Sequence, residues 1–283
     1  MLQDTAVFSP LESEFASLAE RLCHSTVQFQ EPRGGSGVIW HANGLIVTNA
    51  HVIHGSKARV KLFDGRVLEA VVTAQNRQRD LAALTVDAAG LPAAAVRTSA
   101  LRVGELVLAV GNPHGLRGVL TTGIIQAIAP ANTGKDWVRA DVQLAPGNSG
   151  GPLADAQGRV IGINSMIVDG LALAVPSNAV AQFLRSGGKR PYLGVSLQPV
   201  LVSQSGQRVG LLVLEVTAGS PAEVAGLLIG DILIGAGGQC FRTPEDLAYA
   251  LSSADCDELQ LDLLRGGQRR QCRVRGASKS EES

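Results

Sequence analysis

A serine in the run Gly147-Asn148-Ser149-Gly150-Gly151-Pro152 is the residue of this chain best placed for covalent chemistry. Glycines on both sides allow a tight turn whose backbone N–H groups converge on an anion. Acyl transfer requires such donors beside an exposed hydroxyl nucleophile. The same letters also describe an ordinary turn between strands, so the rest of the chain must decide. They fit the G-x-S-x-G elbow as well, but that architecture places its histidine after the serine. Here His24, His41, His51, His54 and His114 all precede Ser149. The order histidine, aspartate, serine remains open, with His51 and Asp80 as the candidates.

Both candidates sit where a strand begins or ends. His51 closes the run Gly44-Leu45-Ile46-Val47-Thr48-Asn49-Ala50-His51-Val52-Ile53, an apolar strand that passes through small residues to the imidazole. Asp80 opens Asp80-Leu81-Ala82-Ala83-Leu84-Thr85-Val86, a carboxylate at the mouth of an apolar run and placed to hold His51 Nδ1 in one tautomer. Singly, each is more often a structural residue, a buried histidine or a turn-capping aspartate. In this order, and with the serine turn, they read as a proton relay. Neutral His51 takes the Ser149 proton during attack on a peptide carbonyl, then protonates the leaving amine while Asp80 stabilises the imidazolium. The N–H groups of Gly147 and Ser149, with Asn148 shaping the turn between them, form the expected oxyanion hole. No cofactor is needed.

With these residues the chain resembles the HtrA/Deg serine proteases. The resemblance rests on Thr48-Asn49-Ala50-His51-Val52-Ile53, Asp80-Leu81-Ala82, Gly147-Asn148-Ser149-Gly150-Gly151-Pro152-Leu153 and Ala174-Val175-Pro176-Ser177. Downstream, Ala225-Gly226-Leu227-Leu228-Ile229-Gly230-Asp231-Ile232-Leu233 resembles the core of a PDZ domain. The likeness covers about residues 10 to 275. It implies a mainly β chain, a trypsin-like double β-barrel followed by one C-terminal PDZ domain. The implied activity is that of an ATP-independent serine endopeptidase acting on misfolded or damaged protein. The alternative is a catalytically silent, chaperone-like relative that only binds peptides.

The resemblance also implies finer detail. Trypsin-like enzymes that cut after basic residues carry a carboxylate six positions before the serine, where this chain has Gln143, so a strongly basic preference is not expected. An apolar pocket walled by Leu144, Ile163 and Leu173 is implied, with Leu171 to Val175 accepting the substrate as an added strand. Tyr192-Leu193-Gly194-Val195 resembles the loop that binds a peptide's terminal carboxylate, and Glu245 to Ser252 is the expected helix along that groove. A homotrimer is implied, with Phe8 and Phe15 flanking an amphipathic stretch whose apolar face needs a partner. His114 in Gly111-Asn112-Pro113-His114-Gly115-Leu116 departs from the phenylalanine common in relatives at their trimer contact.

The elements needed to position these residues are legible as periodicity. Leu11 to Leu22 has helical spacing, with apolar residues at Leu11, Phe15, Leu18, Ala19 and Leu22. Strand-like runs follow at Val38–Trp40, Leu45–Thr48, Ala58–Phe63, Val67–Thr73 and Leu81–Val86 for one barrel. A second series, Leu106–Val110, Leu120–Ile128, Trp137–Asp141, Val160–Ile167 and Leu171–Val175, builds the other, so the site is expected between them. Asn178 to Ser186 reads as a helix capped by Ser177 or Asn178, and Gly187-Gly188-Lys189-Arg190-Pro191 as a break between domains. The expected divisions are 1–24 (an N-terminal segment for oligomerisation), 25–188 (protease), 191–275 (PDZ) and 276–283 (a disordered tail).

Composition agrees with two domains. The chain has 283 residues, 45% of them hydrophobic, and 33 glycines, as many short strands and turns require. Formal net charge is zero with dispersed charges, which argues against nucleic acid or an anionic membrane as partner. Cys23, Cys240, Cys256 and Cys272 lack metal or disulfide spacing, and no metal is expected at His51 and His54. Met1 to Pro10 carries no leader pattern, and no apolar stretch is long enough to span a bilayer. The expectation is therefore cytoplasmic as written, or periplasmic if a leader is missing.

Overall fold

The computed structural model describes residues 8–30, 34–97, 99–130, 136–187, 190–202, 208–244, 246–253, 258–275 and 277–279. The chain divides into two compact units, Met1–Gly188 and Lys189–Ser283.

In the first unit, helix α1 (Phe8–His24) leads into β1 (Thr26–Phe29), β2 (Gly35–His41), β3 (Leu45–Thr48), β4 (Lys57–Lys61), β5 (Val67–Asn76) and β6 (Leu81–Val86). These close a barrel in the order β1-β2-β3-β6-β5-β4 around Val27, Phe29, Ile39, Ile46, Val60 and Leu84. A second barrel, in the order β10-β11-β12-β9-β8-β7, follows from β7 (Leu106–Gly111), β8 (Val119–Pro130), β9 (Asp136–Ala140), β10 (Pro152–Asp155), β11 (Val160–Val168) and β12 (Leu171–Pro176). Each barrel thus has one strand more than periodicity shows. Thr26–Phe29 and Pro152–Asp155 are four residues long and inward on both faces, so neither carries the alternation that marks a half-buried strand. They are the strands that complete closure, β1 against β4 and β10 against β7.

Between the barrels, Trp40, Val47 and Leu81 meet Trp137, Ile163, Leu173 and Val175 in one apolar cluster. Helix α2 (Ser177–Arg185) caps this cluster with Val180 and Phe183. Of the two expected residues, Asn178 accepts the first-turn Ala179 N–H through its side-chain oxygen at 2.8 Å, but neither occupies the N-cap position. The N-cap position is Pro176, and the Ser177 hydroxyl instead donates to the Arg97 carbonyl.

The apolar face of α1 already has a partner. Leu18, Leu22 and Cys23 pack on Leu108, Val110 and Ala154 of the second barrel, while Phe15 on the same helix stays 44% exposed. The face expected to seek another copy is therefore largely used within the chain. The side chains of Phe8 and His114 lie outside the described residues.

The second unit begins with β13 (Arg190–Tyr192), which pairs with β20 (Ala277–Lys279). The expected disordered tail is thus corrected over three residues, because a ladder partner exists at the other end of the unit. The main sheet has the order β14-β15-β16-β18-β19, from β14 (Val195–Val202), β15 (Arg208–Val216), β16 (Ile232–Ala236), β18 (Glu258–Arg265) and β19 (Gln268–Arg275). Short β17 (Gln239–Cys240) pairs with β16. Two helices, α3 (Pro221–Val224) and α4 (Asp246–Ser253), complete the unit, and α4 begins beyond Glu245, which lies outside the described residues. Leu211, Val213, Leu233, Leu261 and Leu263 form its core.

One buried ion pair locks the second unit. Burial works against a charge on Asp231, but the Arg265 fork at 2.7 Å to both carboxylate oxygens and the Leu228 N–H at 2.9 Å outweigh it and hold its pKa low. Removing one partner of such a pair costs about 3–5 kcal/mol, because the other is left buried and uncompensated.

Candidate active site

Two adjacent strand ends bring His51 and Asp80 together. β3 and β6 pair through Thr48 and Ala82, His51 lies in the 3-10 turn Ala50–Val52 after β3, and Asp80 immediately precedes β6. His51 Nδ1 lies 2.9 Å from both Asp80 carboxylate oxygens, and the His51 backbone N–H donates to Oδ1 at 3.1 Å. The Asn49 amide donates to the Asp80 carbonyl at 2.9 Å. Asp80 itself has φ +54°, a left-handed conformation that aspartate and asparagine tolerate better than other side chains. The imidazole is half exposed while the carboxylate is largely buried, so the pair is dry at one end and open to substrate at the other.

The second barrel contributes Ser149 and, unforeseen in the sequence, Ser165. The buried Ser165 hydroxyl donates to Asp80 Oδ2 at 2.5 Å. Its signal was Asn164-Ser165, two adjacent polar residues inside the apolar run of β11, which require polar partners when buried. The hydrogen bond that His51 Nδ1–H donates to Asp80 raises the His51 pKa above its ordinary value, against the opposing pull of burial and with help from the Asp80 charge. Burial works the other way on Asp80, but the bonds from His51 and Ser165 prevail and lower its pKa. At neutral pH Asp80 is ionised, and His51 is a stronger base than a free imidazole.

Ser149 Oγ donates to the Ser165 carbonyl at 2.9 Å rather than to His51. Its turn is anchored from below: the Ser149 carbonyl accepts the Ser36 N–H, the Gly147 carbonyl accepts the Ser36 hydroxyl, and the Asn148 N–H donates to the Ala145 carbonyl. The N–H groups of Gly147 and Ser149 donate to none of the described residues. Gly147 has φ +107°, and a Cβ there would lie 2.8 Å from the Asn112 carbonyl oxygen, so no other residue fits without strain. Asn148, whose N–H is engaged, shapes the turn and donates nothing to the hole.

The residues expected to wall a pocket do not gather. Ile163 and Leu173 are buried in the cluster between the barrels, Leu144 packs on the interior of the second barrel, and Gln143 is exposed with its carbonyl accepting from Thr121. The added-strand site also moves. β12, which contains Leu171 to Val175, pairs with β11 on one side and β9 on the other, so it has no edge to offer. The free edge belongs to the end of β11: its pairing with β10 stops at Ile163, Asn164 still bonds to the Gly150 N–H and the Gly151 carbonyl, and from Met166 onward only the β12 side is occupied. Met166, Ile167 and Val168 are 42%, 53% and 38% exposed along this edge, next to the Ser165 carbonyl. Sequence alternation alone could not distinguish the two neighbouring strands.

In the second unit, Tyr192, Leu193, Gly194 and Val195 link β13 to β14, an edge strand of the main sheet. The Leu193 and Gly194 carbonyls are held by Ala222 N–H and Thr217 N–H, and the N–H groups of Leu193 and Gly194 donate to none of the described residues. Because Gly194 bonds toward β15, strand alternation turns the Val195 N–H to the open edge. Gly194 has φ +80°, and a Cβ would lie 2.2 Å from that of Ser220. Leu247, Ala250 and Leu251 of α4 share the apolar cluster of Val195 and Leu197.

Two six-stranded barrels with a histidine–aspartate pair from one and a serine turn from the other, followed by a six-stranded sheet with an open edge, define the architecture of a double-barrel serine protease with a second β unit. Residues 35–163 match the trypsin-like peptidase domain family and residues 212–265 the PDZ domain family. HhoA of Synechocystis sp. is 37% identical over 268 residues, 83% of this chain and 68% of its own length. The periplasmic DegP-like serine endoprotease of Pseudomonas savastanoi pv. phaseolicola is 37% identical over 262 residues, 85% of this chain and 55% of its own. The solved structure of the HtrA-type protease AlgW with a decapeptide superposes with a TM-score of 0.77 at 26% identity, covering 95% of this chain and 99% of that one. The chain belongs to the HtrA/DegP family of serine proteases. It spans between about half and two thirds of the length of the curated relatives it matches.

Proposed function

We propose that this chain is an ATP-independent serine endopeptidase that cleaves misfolded or damaged polypeptides at Ser149. The observation that carries the reading is the buried Asp80 carboxylate bonded to His51 Nδ1 from one barrel and to Ser165 from the other. Such an assembly serves to keep the imidazole oriented and basic. Rotation of the Ser149 side chain from the Ser165 carbonyl to His51 Nε2 readies the nucleophile, and hydrogen bonds of this kind commonly tighten only when substrate binds. An extended substrate pairing with Met166–Val168 lays its scissile carbonyl toward the Gly147 and Ser149 N–H groups. A folded protein cannot offer such a strand, which supports unfolded segments as substrates. Labelling with a fluorophosphonate tests the reading: the wild-type chain is expected to react stoichiometrically at Ser149, and a chain that stays unlabelled is the silent, chaperone-like alternative.

The PDZ unit is proposed to bind peptides with a free apolar C-terminus, the carboxylate meeting the N–H groups of Leu193, Gly194 and Val195. Amidating the peptide is expected to weaken binding at least tenfold by calorimetry, since a charge-assisted bond is worth about 1.5–3 kcal/mol. Equal affinity for acid and amide would assign the carboxylate elsewhere. No helix among the described residues is long and apolar enough to cross a membrane. The names of the periplasmic relatives favour an extracytoplasmic compartment over the cytoplasmic expectation. A homotrimer is proposed on the family likeness, with exposed Phe15 as a candidate anchor. Light scattering at neutral pH is expected to show three chains per particle, and a monomer rejects this.

A further inference from the structure

We infer that Ser36 is a positioning residue for catalysis, its hydroxyl setting the Gly147 half of the oxyanion hole. This rests on the protease reading above. Ser36 lies on β2 of the first barrel, fully buried and 111 positions from the glycine it holds. Its Oγ accepts from the Asn112 backbone N–H at 2.9 Å and the Asn112 side-chain amide at 3.2 Å. Both lone pairs are thereby occupied, so the single hydroxyl proton has one direction left, to the Gly147 carbonyl at 2.7 Å. That bond draws the carbonyl inward and away from the substrate side.

The flanking bonds make the role separable. The Ser36 backbone N–H independently holds the Ser149 carbonyl at 2.8 Å, and the Ser36 carbonyl is held by the Thr48 hydroxyl at 2.6 Å. Loss of the hydroxyl therefore releases Gly147 while leaving Ser149 anchored. None of the hydrogen bonds joining His51, Asp80 and Ser165 involves Ser36. Asn112 is itself tied to the Val27 carbonyl and the Gly118 N–H, so the group that donates to Ser36 is held in place. A glycine with φ +107° has no side chain to restrain it, and this hydroxyl supplies the restraint from another barrel.

The test compares Ser36→Thr with Ser36→Val, side chains of equal shape that differ in the hydroxyl, beside the wild type and Ser36→Ala. Removing an oxyanion donor outright costs about 10²–10³ in kcat. Mispositioning one is expected to lower kcat in Ser36→Val and Ser36→Ala by roughly 10 to 100-fold, with KM for a peptide substrate within about twofold. Affinity for a peptide boronate, whose tetrahedral oxygen occupies the hole, is expected to fall by the same factor as kcat. Ser36→Thr restores both, and the pH midpoint of kcat/KM stays at the wild-type value. Ser36→Val and Ser36→Ala lose thermal stability under either role, because the Asn112 donors and the Gly147 carbonyl are left unpaired; a purely structural role would also shift KM or the midpoint along with kcat. Equal kcat and boronate affinity in the Thr and Val variants overturns the proposal while the wild type still labels with fluorophosphonate. A wild type that does not label overturns the protease reading and this role with it.

Discussion

Casein cleavage is expected to fall by roughly a millionfold when Ser149 is replaced by alanine, as loss of a triad nucleophile does in serine proteases. The folded state should hardly register the change. The Ser149 hydroxyl makes one hydrogen bond, to the Ser165 carbonyl, at a partly buried position. Its net worth is about 1 kcal/mol. The turn is held instead by backbone groups, through the Ser36 N–H on the Ser149 carbonyl and the Gly150 N–H on the Asn164 carbonyl. Turnover of casein by the alanine variant at even a hundredth of the wild-type rate would remove Ser149 from the chemistry. An unfolded variant would show that the hydroxyl serves packing.

The second large effect belongs to Asp80→Asn. Asparagine keeps the size and accepts the left-handed backbone at φ +54°, so the fold should persist. The Nδ1–H of His51 then faces an amide that can present a donor, the wrong tautomer is favoured, and kcat is expected to drop about 10⁴-fold, the size of the effect in trypsin. The pH profile gives an independent reading. kcat/KM needs neutral His51, whose pKa is raised above 6.5 by the Asp80 bond and charge. Wild-type activity should thus climb with pH at a midpoint above 6.5, higher than an unperturbed imidazole would give. With the carboxylate gone, the favourable interaction with the imidazolium is lost and the residual activity of Asp80→Asn should climb at lower pH. An unchanged midpoint would mean that Asp80 does not set the basicity of His51.

Much of the site was legible because its chemistry is written in short contiguous runs. A histidine at a strand end, an aspartate at a strand mouth and a serine among glycines each carry a local signal, and their order eliminates the competing architecture. The strands with clear alternation or long apolar runs, such as Leu45–Thr48 and Leu81–Val86, were equally readable. Thr26–Phe29 and Pro152–Asp155 were not, because a short strand inward on both faces has no period. The pocket and the substrate edge were misplaced for a related reason. Ile163 and Leu173 are apolar in strands near the serine, but apolarity does not say whether a side chain faces a cleft or a second barrel.

The sequence by itself determined which groups can react, the order in which they occur, and the glycines that let the nucleophile turn form, since these depend on residue type and near neighbours. Only the tertiary structure decided how the groups are held. Ser165 reaches Asp80 across 85 positions, Ser36 reaches Gly147 across 111, and the open edge falls to β11 because β12 is enclosed by β9. These choices follow from barrel closure, which pairs segments by register and curvature rather than by proximity in the chain, so no local pattern could have announced them.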